Sequence, residues 1–313
     1  MAVANSKFIL ISTTGSTGYQ NSGFSSPTCF IRKEIVILDA GARFSHHRGD
    51  RIAQLIPVQR FIPPTPKSPV ILYVHGGPFG AVNPDDPFIL RLLAEGVEFV
   101  CVAYRGTVGY GLEHAEANRG EYGRADVWDM LDAGFDWKKR TGEDRPLIAA
   151  GYSYGGFLTF LVLAQEEIPW AGGITLYAVS GIHRMGLHQQ RTFPTEADQQ
   201  AAAWIARSPL QQAGRIRVPL LIFHGVLDTV ATTAEMKFIQ DSIVSREGIC
   251  ELFLFEDDTH GLMRHRDEIH APRLLGSLGI QGVDSTSGGE RKRRTPCKSN
   301  QMRRKSESTR LMP

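Results

Sequence analysis

The sequence predicts an α/β fold in which helices cover both faces of a mostly parallel sheet. From Val70 onward, short continuous apolar runs alternate with segments whose apolar residues have helical spacing. Continuous apolar strands are typical of a parallel sheet that is buried on both faces. In the middle of this alternation, the run Gly151-Tyr152-Ser153-Tyr154-Gly155 follows one apolar segment and begins another.

The segment before Val70 has no clear period. Glycines and Pro27 interrupt residues 1–50, although residues 35–38 have the composition of a strand. Residues 51–61 alternate loosely between apolar and polar, and we predict an edge strand there. Several prolines then mark a turn or linker: Pro63, Pro64, Pro66 and Pro69.

The alternation after this linker predicts strands and helices in turn. The strands are expected over residues 70–74, 97–104, 147–150, 172–179, 220–223 and 251–255. The helices are expected over residues 88–95, 125–140, 156–165 and 234–244. Gly96 ends the first helix, and the second has the amphipathic spacing of a helix that packs on one side.

The motif at Ser153 has the form of a nucleophile elbow, a sharp turn between a strand and a helix that exposes the serine oxygen. Gly151 and Gly155 fit this turn because a Cβ at either position would clash. A serine held in this way forms a covalent ester with an acyl group, so the motif predicts acyl transfer. A five-residue motif also occurs by chance in other βα turns, and the remaining catalytic groups must decide between the two interpretations.

Two residues later in the chain supply the carboxylate and the base that such a site needs. In α/β-hydrolases the order along the chain is serine, then a carboxylate, then histidine. Asp228 follows the strand predicted at 220–223, and His260 follows the strand predicted at 251–255. We therefore predict an α/β-hydrolase fold with Ser153 as nucleophile, Asp228 as the acid partner and His260 as the base.

Other residues are weaker candidates for these roles. Asp257 and Asp258 are alternatives for the acid, but they lie so close to His260 in sequence that we expect them to be solvated loop carboxylates. His224 is expected to pack at a strand end. The other histidines precede the serine, lie in an insertion or fall on a late helix: His46, His47, His114, His183, His188, His265 and His270.

An oxyanion hole of this fold combines the N–H after the nucleophile with an N–H from an earlier loop. The first is that of Tyr154, and the second belongs to the loop His75-Gly76-Gly77-Pro78, where we choose Gly77. Residues 181–215 interrupt the alternation, and we expect them to form a lid and a wall of the acyl pocket. An inert helical insertion is the alternative.

Composition excludes several classes of site. The four cysteines, Cys29, Cys101, Cys250 and Cys297, have no CxxC spacing, so we expect no zinc site, no disulfide framework and a reduced cytoplasmic setting. We also predict no cofactor and no other metal. No window approaches twenty apolar residues, and the apolar run at residues 8–11 is too short for a signal peptide. We therefore expect no membrane segment.

The last residues are strongly basic. Residues 290–313 carry nine basic and two acidic side chains with few apolar ones. Such a segment cannot bury enough surface to order itself, so we predict a disordered, solvated tail over 279–313 and do not favour nucleic-acid contact.

Several motifs together resemble the catalytic domain of the prolyl oligopeptidase family, especially its acylaminoacyl-peptidase and dipeptidyl-peptidase branches. They are His75-Gly76-Gly77-Pro78, Tyr104-Arg105-Gly106-Thr107-Val108-Gly109-Tyr110-Gly111, Gly151-Tyr152-Ser153-Tyr154-Gly155-Gly156, Ser208-Pro209, and Asp228 with His260. The resemblance implies a metal-free serine peptidase, with Ser153, Asp228 and His260 as its triad and with Gly77 and Tyr154 as oxyanion donors.

The resemblance spans about two thirds of the chain and has three departures. A propeller needs at least four blades of about 40–50 residues, and the residues before the match are too few for one. Ala231 stands where the family usually has valine, and the sequence after Leu275 does not continue as a closing helix. We therefore divide the chain into an atypical segment 1–57, a catalytic domain 58–278 and the tail.

The resulting prediction is a serine hydrolase that cleaves an amide or peptide bond. An esterase or lactonase acting on a small acyl substrate is one alternative. A catalytically silent binding protein with the same fold is the other, because the unusual chain ends could displace His260.

Overall fold

The computed structural model describes residues 13–14, 32–39, 55–141, 145–181 and 204–265, together with residues 274 and 276. All of them belong to one unit, Met1–Val283. The strands are β1 Thr13–Thr14, β2 Arg32–Asp39, β3 Leu55–Ile62, β4 Lys67–Val74, β5 Val97–Val102, β6 Leu147–Tyr152, β7 Gly172–Leu176, β8 Leu220–Gly225 and β9 Cys250–Phe255. The helices are α1 Pro87–Ala94, α2 Leu112–Glu116, α3 Ala125–Thr141, α4 Tyr154–Leu163, α5 Pro209–Gln212 and α6 Thr233–Val244.

The described strands form one sheet in the order β1-β2-β3-β5-β4-β6-β7-β8-β9. The pairs from β5 to β9 are parallel, whereas β1, β2 and β3 join the sheet in antiparallel pairs. The mostly parallel sheet predicted from the sequence is therefore confirmed. Two short helices, α2 and α5, were not predicted, because neither is long enough to show a helical period.

The strand predicted at residues 51–61 is not at an edge. It forms β3, which pairs with β2 on one side and with β5 on the other. The edge prediction was wrong because a loose alternation does not reveal strand partners that are distant in sequence. The sheet also includes strands on both sides of the domain boundary expected between residues 57 and 58, since β2 precedes that boundary and β3 spans it.

Apolar side chains cover both faces of the sheet. Along β4, Leu72 and Val74 join the cluster beneath α3 and α4, while Ile71 and Tyr73 join the cluster beneath α1. All ten residues of α4 are buried, which explains why this helix is apolar on every side. The helix that follows the nucleophile motif is thus held in the core.

Local polar groups mark where helices begin. The Asp86 side chain accepts a hydrogen bond from Phe88 N at 2.9 Å at the start of α1, and Pro87 occupies the first helical position. At the start of α6, Thr232 and Glu235 form a reciprocal capping box. These caps satisfy N–H groups that a helix leaves without partners.

A buried ion pair ties the loop after β5 to α3. The Arg105 guanidinium donates to Asp129 Oδ1 through Nη2 at 2.6 Å, and Arg105 N donates to Asp129 Oδ2 at 2.7 Å. Both side chains are almost completely buried. The pair therefore joins two segments that are distant in sequence.

Asp129→Ala tests the contribution of this pair to folding. The substitution leaves the Arg105 cation buried without its counter-ion, and we expect a loss of about 3–5 kcal/mol in the free energy of unfolding, measured by urea titration. Asp241→Ala removes the same charge from an exposed position on α6, and it should change the free energy by about 0.5 kcal/mol or less. Equal effects for the two variants would contradict the expectation.

Candidate active site

Ser153 occupies a strained turn between β6 and α4. Its backbone has φ 52° and ψ −116°, a region that residues other than glycine rarely adopt. Ser153 N donates to Leu176 O at 3.0 Å, and Ser153 O accepts from Val179 N at 3.1 Å. The end of β7 and the loop after it therefore hold the turn in place.

The glycines around Ser153 allow the turn to pack against β4. A Cβ on Gly155 would lie 2.3 Å from Val74 O and 2.6 Å from His75 O, and a Cβ on Gly151 would lie 2.5 Å from Gly155 C. No side chain fits at these distances. The close backbone approach is the physical reason for both glycines in the motif.

Ser153, His260 and Asp228 form one continuous hydrogen-bonded chain. Ser153 Oγ lies 2.9 Å from His260 Nε2, and His260 Nδ1 lies 2.8 Å from Asp228 Oδ2. Each residue follows a parallel strand, at the ends of β6, β9 and β8 respectively. The structure therefore brings together the three side chains that the sequence singled out.

Asp228 is buried and held as an anion. Its Oδ1 accepts hydrogen bonds from Val230 N at 2.7 Å and from Ala231 N at 3.1 Å. Burial raises the pKa of Asp228, but the hydrogen bond and charge of His260, together with these N–H groups, bring the pKa below its ordinary value. Ala231 acts here through its backbone, so this contact does not depend on its side chain.

His224 packs beside this carboxylate, as the sequence predicted. Its Nε2 lies 2.9 Å from Ala231 O and 3.7 Å from Asp228 Oδ2, and the side chain is buried. Burial lowers the pKa of His224. The imidazole is therefore neutral at pH 7.

The loop that carries His260 is organised by Asp258. This carboxylate is 2% exposed and accepts hydrogen bonds from the backbone N–H groups of Thr259, Arg264 and His265 at 3.1–3.2 Å. The prediction that Asp258 is a solvated carboxylate was wrong, because the loop folds around this side chain and excludes solvent from it. Burial raises its pKa, but the bonds from His265 and the backbone lower it below the ordinary value.

Asp257 does match the prediction of a solvated carboxylate. Its side chain is 57% exposed and pairs with Arg264 at 3.1 Å on the surface. Neither Asp257 nor Asp258 forms the bond to His260 Nδ1, which goes to Asp228.

Two tyrosines that the sequence analysis missed border the serine and the imidazole. The Tyr177 ring lies edge-on to the His260 ring, with centroids 5.0 Å apart, and the Tyr177 backbone has a positive φ of 37°. The Tyr152 ring lies 5.7 Å from that of Tyr177. The contact between Tyr177 and His260 restrains the imidazole ring. No local pattern in the sequence predicts this contact.

The loop predicted to carry an oxyanion donor lies directly beside the turn. A Cβ on Gly76 would lie 3.0 Å from Ser153 Cβ, and Gly77 has a positive φ of 67°. The Tyr104 hydroxyl donates to Gly77 O at 2.7 Å, and the Tyr104 ring stacks on His75. This bond fixes the Gly77 carbonyl group, and His75 Nδ1 lies 3.0 Å from Gly76 O in the peptide that carries the Gly77 N–H.

The His75 side chain supports the same loop from below. Its Nε2 lies 2.8 Å from Thr107 Oγ1, and burial lowers the pKa of His75 to about 4. The neutral ring leaves no positive charge under the loop. Tyr154 is the first residue of α4, so its N–H is one of those that a helix leaves without an intrahelical acceptor.

A buried carboxylate lies on the other side of the turn. Asp126 on α3 is fully buried and accepts hydrogen bonds from the Tyr154 hydroxyl and from Asn118 Nδ2, the latter at 3.0 Å. Burial raises the pKa of Asp126 to about 6, although both of these bonds lower it. Sequence analysis placed Asp126 on a helix but assigned it no role.

Some predicted features fall outside the described residues. Most of the expected lid, residues 182–203, is among them, and so are the basic residues 290–313. At the described end of the insertion, Trp204 packs against the core. Within the part of the chain that the structure describes, no cluster of three metal-binding side chains occurs, and no helix is long and apolar enough to cross a membrane.

Comparison with known proteins agrees with this architecture. The profile of the prolyl oligopeptidase family matches residues 86–275. The chain belongs to the prolyl oligopeptidase family. An uncharacterized peptidase of Bacillus subtilis, YuxL, is 32% identical over 209 residues, which cover 63% of this chain and 31% of that protein. Dipeptidyl aminopeptidase BIII of Pseudoxanthomonas mexicana is 28% identical over 212 residues, which cover 63% of this chain and 30% of that protein.

Solved structures share the fold. A puromycin hydrolase superposes with a TM-score of 0.68 at 23% identity, covering 83% of this chain and 42% of the other. An acylaminoacyl peptidase of Pyrococcus horikoshii has a TM-score of 0.64 at 21% identity, covering 76% and 41%. These similarities confirm the predicted α/β-hydrolase fold. The chain spans about a third of the length of the curated relatives it matches.

The raised pKa of Asp126 predicts a pH-dependent contribution to stability. Between the ordinary value of 3.8 and about 6, the folded protein retains a proton that the unfolded chain releases. The contribution of Asp126 to the free energy of unfolding therefore falls as the pH rises through this window. Asp126→Asn has no such proton.

Urea titrations of the wild type and Asp126→Asn at pH 4, 5, 6 and 7 measure this effect. The free energy of unfolding of the wild type, minus that of the variant, should decline from pH 4 to 6 and then level off. A difference that rises over this range would mean that the folded protein lowers the pKa of Asp126.

Proposed function

We propose that this protein is a serine hydrolase that cleaves an amide or peptide bond through an acyl-enzyme formed on Ser153. The observation that carries the proposal is the unbroken hydrogen-bond chain from Ser153 Oγ through His260 to Asp228. Membership of the prolyl oligopeptidase family supports it. The free, buried thiols of Cys101 and Cys250 agree with a reduced, cytoplasmic setting, which stays a prediction.

The proposed reaction begins with proton transfer from Ser153 Oγ to His260 Nε2. The serine oxygen then bonds to the substrate carbonyl carbon, and the carbonyl oxygen takes up the electron pair. The imidazolium of His260 passes its proton to the leaving amine as the carbon–nitrogen bond breaks. Water, deprotonated by the same imidazole, then hydrolyses the ester and restores Ser153.

Asp228 has two tasks in this scheme. Its Oδ2 accepts the Nδ1–H of His260, which leaves Nε2 free to accept the serine proton. Its negative charge also stabilises the imidazolium that forms during the reaction. The lowered pKa of Asp228 supports both tasks, since the carboxylate stays ionised at neutral pH.

The oxyanion is assigned to the N–H groups of Tyr154 and Gly77. Tyr154 begins α4, and the partial positive charge at a helix N-terminus favours an anion there. Gly77 lies in the loop that borders Ser153. Hydrogen bonds of this kind strengthen as negative charge develops on the oxygen, so they lower the barrier of the chemical step.

An amide substrate is proposed because similar proteins are named for cleaving such bonds. They include a dipeptidyl aminopeptidase and an acylaminoacyl peptidase. The triad itself serves esters equally well. The chemical class of substrate is therefore the part of the proposal that needs its own measurement.

Labelling with a fluorophosphonate tests the nucleophile. We expect the wild type to label and Ser153→Ala not to label, because the probe bonds only to an activated serine oxygen. Ser242→Ala removes an exposed hydroxyl from α6 and should label like the wild type. Undiminished labelling of Ser153→Ala would exclude Ser153 as the nucleophile.

The Asp228→Asn variant tests the acid partner. Asparagine keeps the shape of the side chain but lets His260 take the wrong tautomer, so kcat should fall by about 10⁴-fold. Asp257→Asn changes an exposed carboxylate in the loop that leads to His260 and should leave kcat within about twofold of the wild type. A similar loss in both variants would argue against a specific role for Asp228.

Comparing hydrolysis of an aminoacyl anilide and a short acyl ester identifies the substrate class. Turnover of the anilide supports the peptidase, and turnover of the ester alone supports an esterase or lactonase instead. If neither substrate is turned over and no label is incorporated, the protein is a silent binder with a hydrolase fold.

A further inference from the structure

We propose that Asp126 is a positioning residue for the reaction at Ser153. Its hydrogen bond to the Tyr154 hydroxyl anchors the residue that follows the nucleophile, and so aims the Tyr154 N–H at the oxyanion. The inference rests on the proposed function of Ser153 and assigns a role to a side chain that never touches substrate.

The strained turn at Ser153 needs restraint on both of its sides. A residue at positive φ such as Ser153 stays there only when its surroundings leave no alternative. The backbone on the β7 side is held by the bonds to Leu176 and Val179. On the α4 side, the large side chain of Tyr154 is the first that can supply a comparable restraint.

The Tyr154 side chain is held by packing of its ring and by a hydrogen bond at its far end. The Tyr154 ring packs against Tyr104, Tyr122 and Phe157, with centroids 5.2–6.3 Å apart. Packing confines the plane of the ring, but it does not fix the far end. The hydrogen bond from the hydroxyl to Asp126 does so, because a bond to a charged acceptor is short and directional.

The surroundings of Asp126 make its carboxylate costly in folding free energy. The side-chain donors to Asp126 are the neutral hydroxyl of Tyr154 and the neutral amide of Asn118. Burial of a carboxylate whose side-chain donors are neutral destabilises the folded protein, and an apolar residue of similar size would destabilise it less. A buried carboxylate with a perturbed pKa that binds the residue next to a candidate nucleophile is typical of a functional group.

Other charged and titratable groups face Asp126 from the surrounding elements. Asp129 lies one turn along α3, and Tyr104, Tyr122 and Arg207 act on Asp126 by charge at longer range. Asp129 is itself paired with Arg105, which follows Tyr104. Since the Tyr104 hydroxyl holds Gly77 O, the loop that carries the second proposed donor is linked to α3 through Tyr104, Arg105 and Asp129.

Two conservative substitutions separate positioning from folding. Tyr154→Phe removes only the hydroxyl. Asp126→Asn keeps the acceptor for that hydroxyl but removes its charge. The Tyr154 hydroxyl and Asn118 Nδ2 both donate to Asp126 Oδ2, so an asparagine whose oxygen takes that position keeps both acceptor contacts, while its NH₂ group faces the Val127 N–H. Asp136→Asn is the matched control, about 15 Å further along α3.

The expected result is a loss in kcat without a change in KM. Loss of a whole oxyanion donor costs about 10²–10³-fold, so a donor that is only misaimed should cost about tenfold. Each variant is therefore expected to have kcat about tenfold lower, KM within about twofold, and Asp136→Asn should match the wild type. The double variant should be no slower than Tyr154→Phe, because Asp126→Asn acts only through the bond that Tyr154→Phe removes.

A peptide aldehyde provides a second readout. Its adduct with Ser153 carries an oxyanion, so its inhibition constant should rise by the same factor as kcat falls. Inhibition by the amine product, which carries no oxyanion, should not change. All rates are divided by the concentration of sites titrated with fluorophosphonate, so that unfolded protein does not count.

The outcomes distinguish this inference from the function on which it rests. If the wild type neither labels nor turns over substrate, the proposed function fails and this inference fails with it. If the wild type is active and both variants keep kcat per titrated site, or show changes in KM and melting temperature alone, Asp126 is a structural residue and the positioning role is overturned.

Discussion

The close approach of the Ser153 turn to the end of β4 is the constraint on which the site depends. The backbone of Gly155 lies against the carbonyl groups of Val74 and His75, nearer than any side chain allows. This contact places the serine beside the loop that begins at His75. It also explains why α4 is buried on every side, since the helix enters the core directly from the turn.

The sheet then determines which loops can reach the serine. Strands lie about 4.8 Å apart, so β8 and β9 end roughly 10 and 15 Å from β6. Asp228, on the nearer of these two loops, comes close to its own strand end, whereas His260 must reach back across β8 and β7. That longer reach requires a stiff loop. The burial of Asp258 and the edge contact from Tyr177 supply the stiffness.

Sequence reasoning succeeded where the signal is local. Each of these signals lies within a few residues of the feature that it predicts. They are the apolar runs, the glycines around Ser153, and the strands that end just before Asp228 and His260. It failed where the cause is tertiary. The neighbours of β3, the burial of Asp258 and the strained backbone of Tyr177 depend on chain segments that are distant in sequence, and none of them has a pattern of its own.

Two buried aspartates near Ser153 show how surroundings, rather than burial alone, determine charge. Burial raises the pKa of both Asp228 and Asp126. Asp228 faces an imidazole and two backbone N–H groups, and their combined effect exceeds the cost of burial, so the carboxylate is ionised. Asp126 also accepts backbone N–H bonds, from Gly123 and Val127, but it faces a phenol and an amide in place of an imidazole, and their combined effect on its pKa is smaller than that of burial. The first arrangement suits a group that must stabilise a transient cation, and the second suits an anchor whose partner stays neutral.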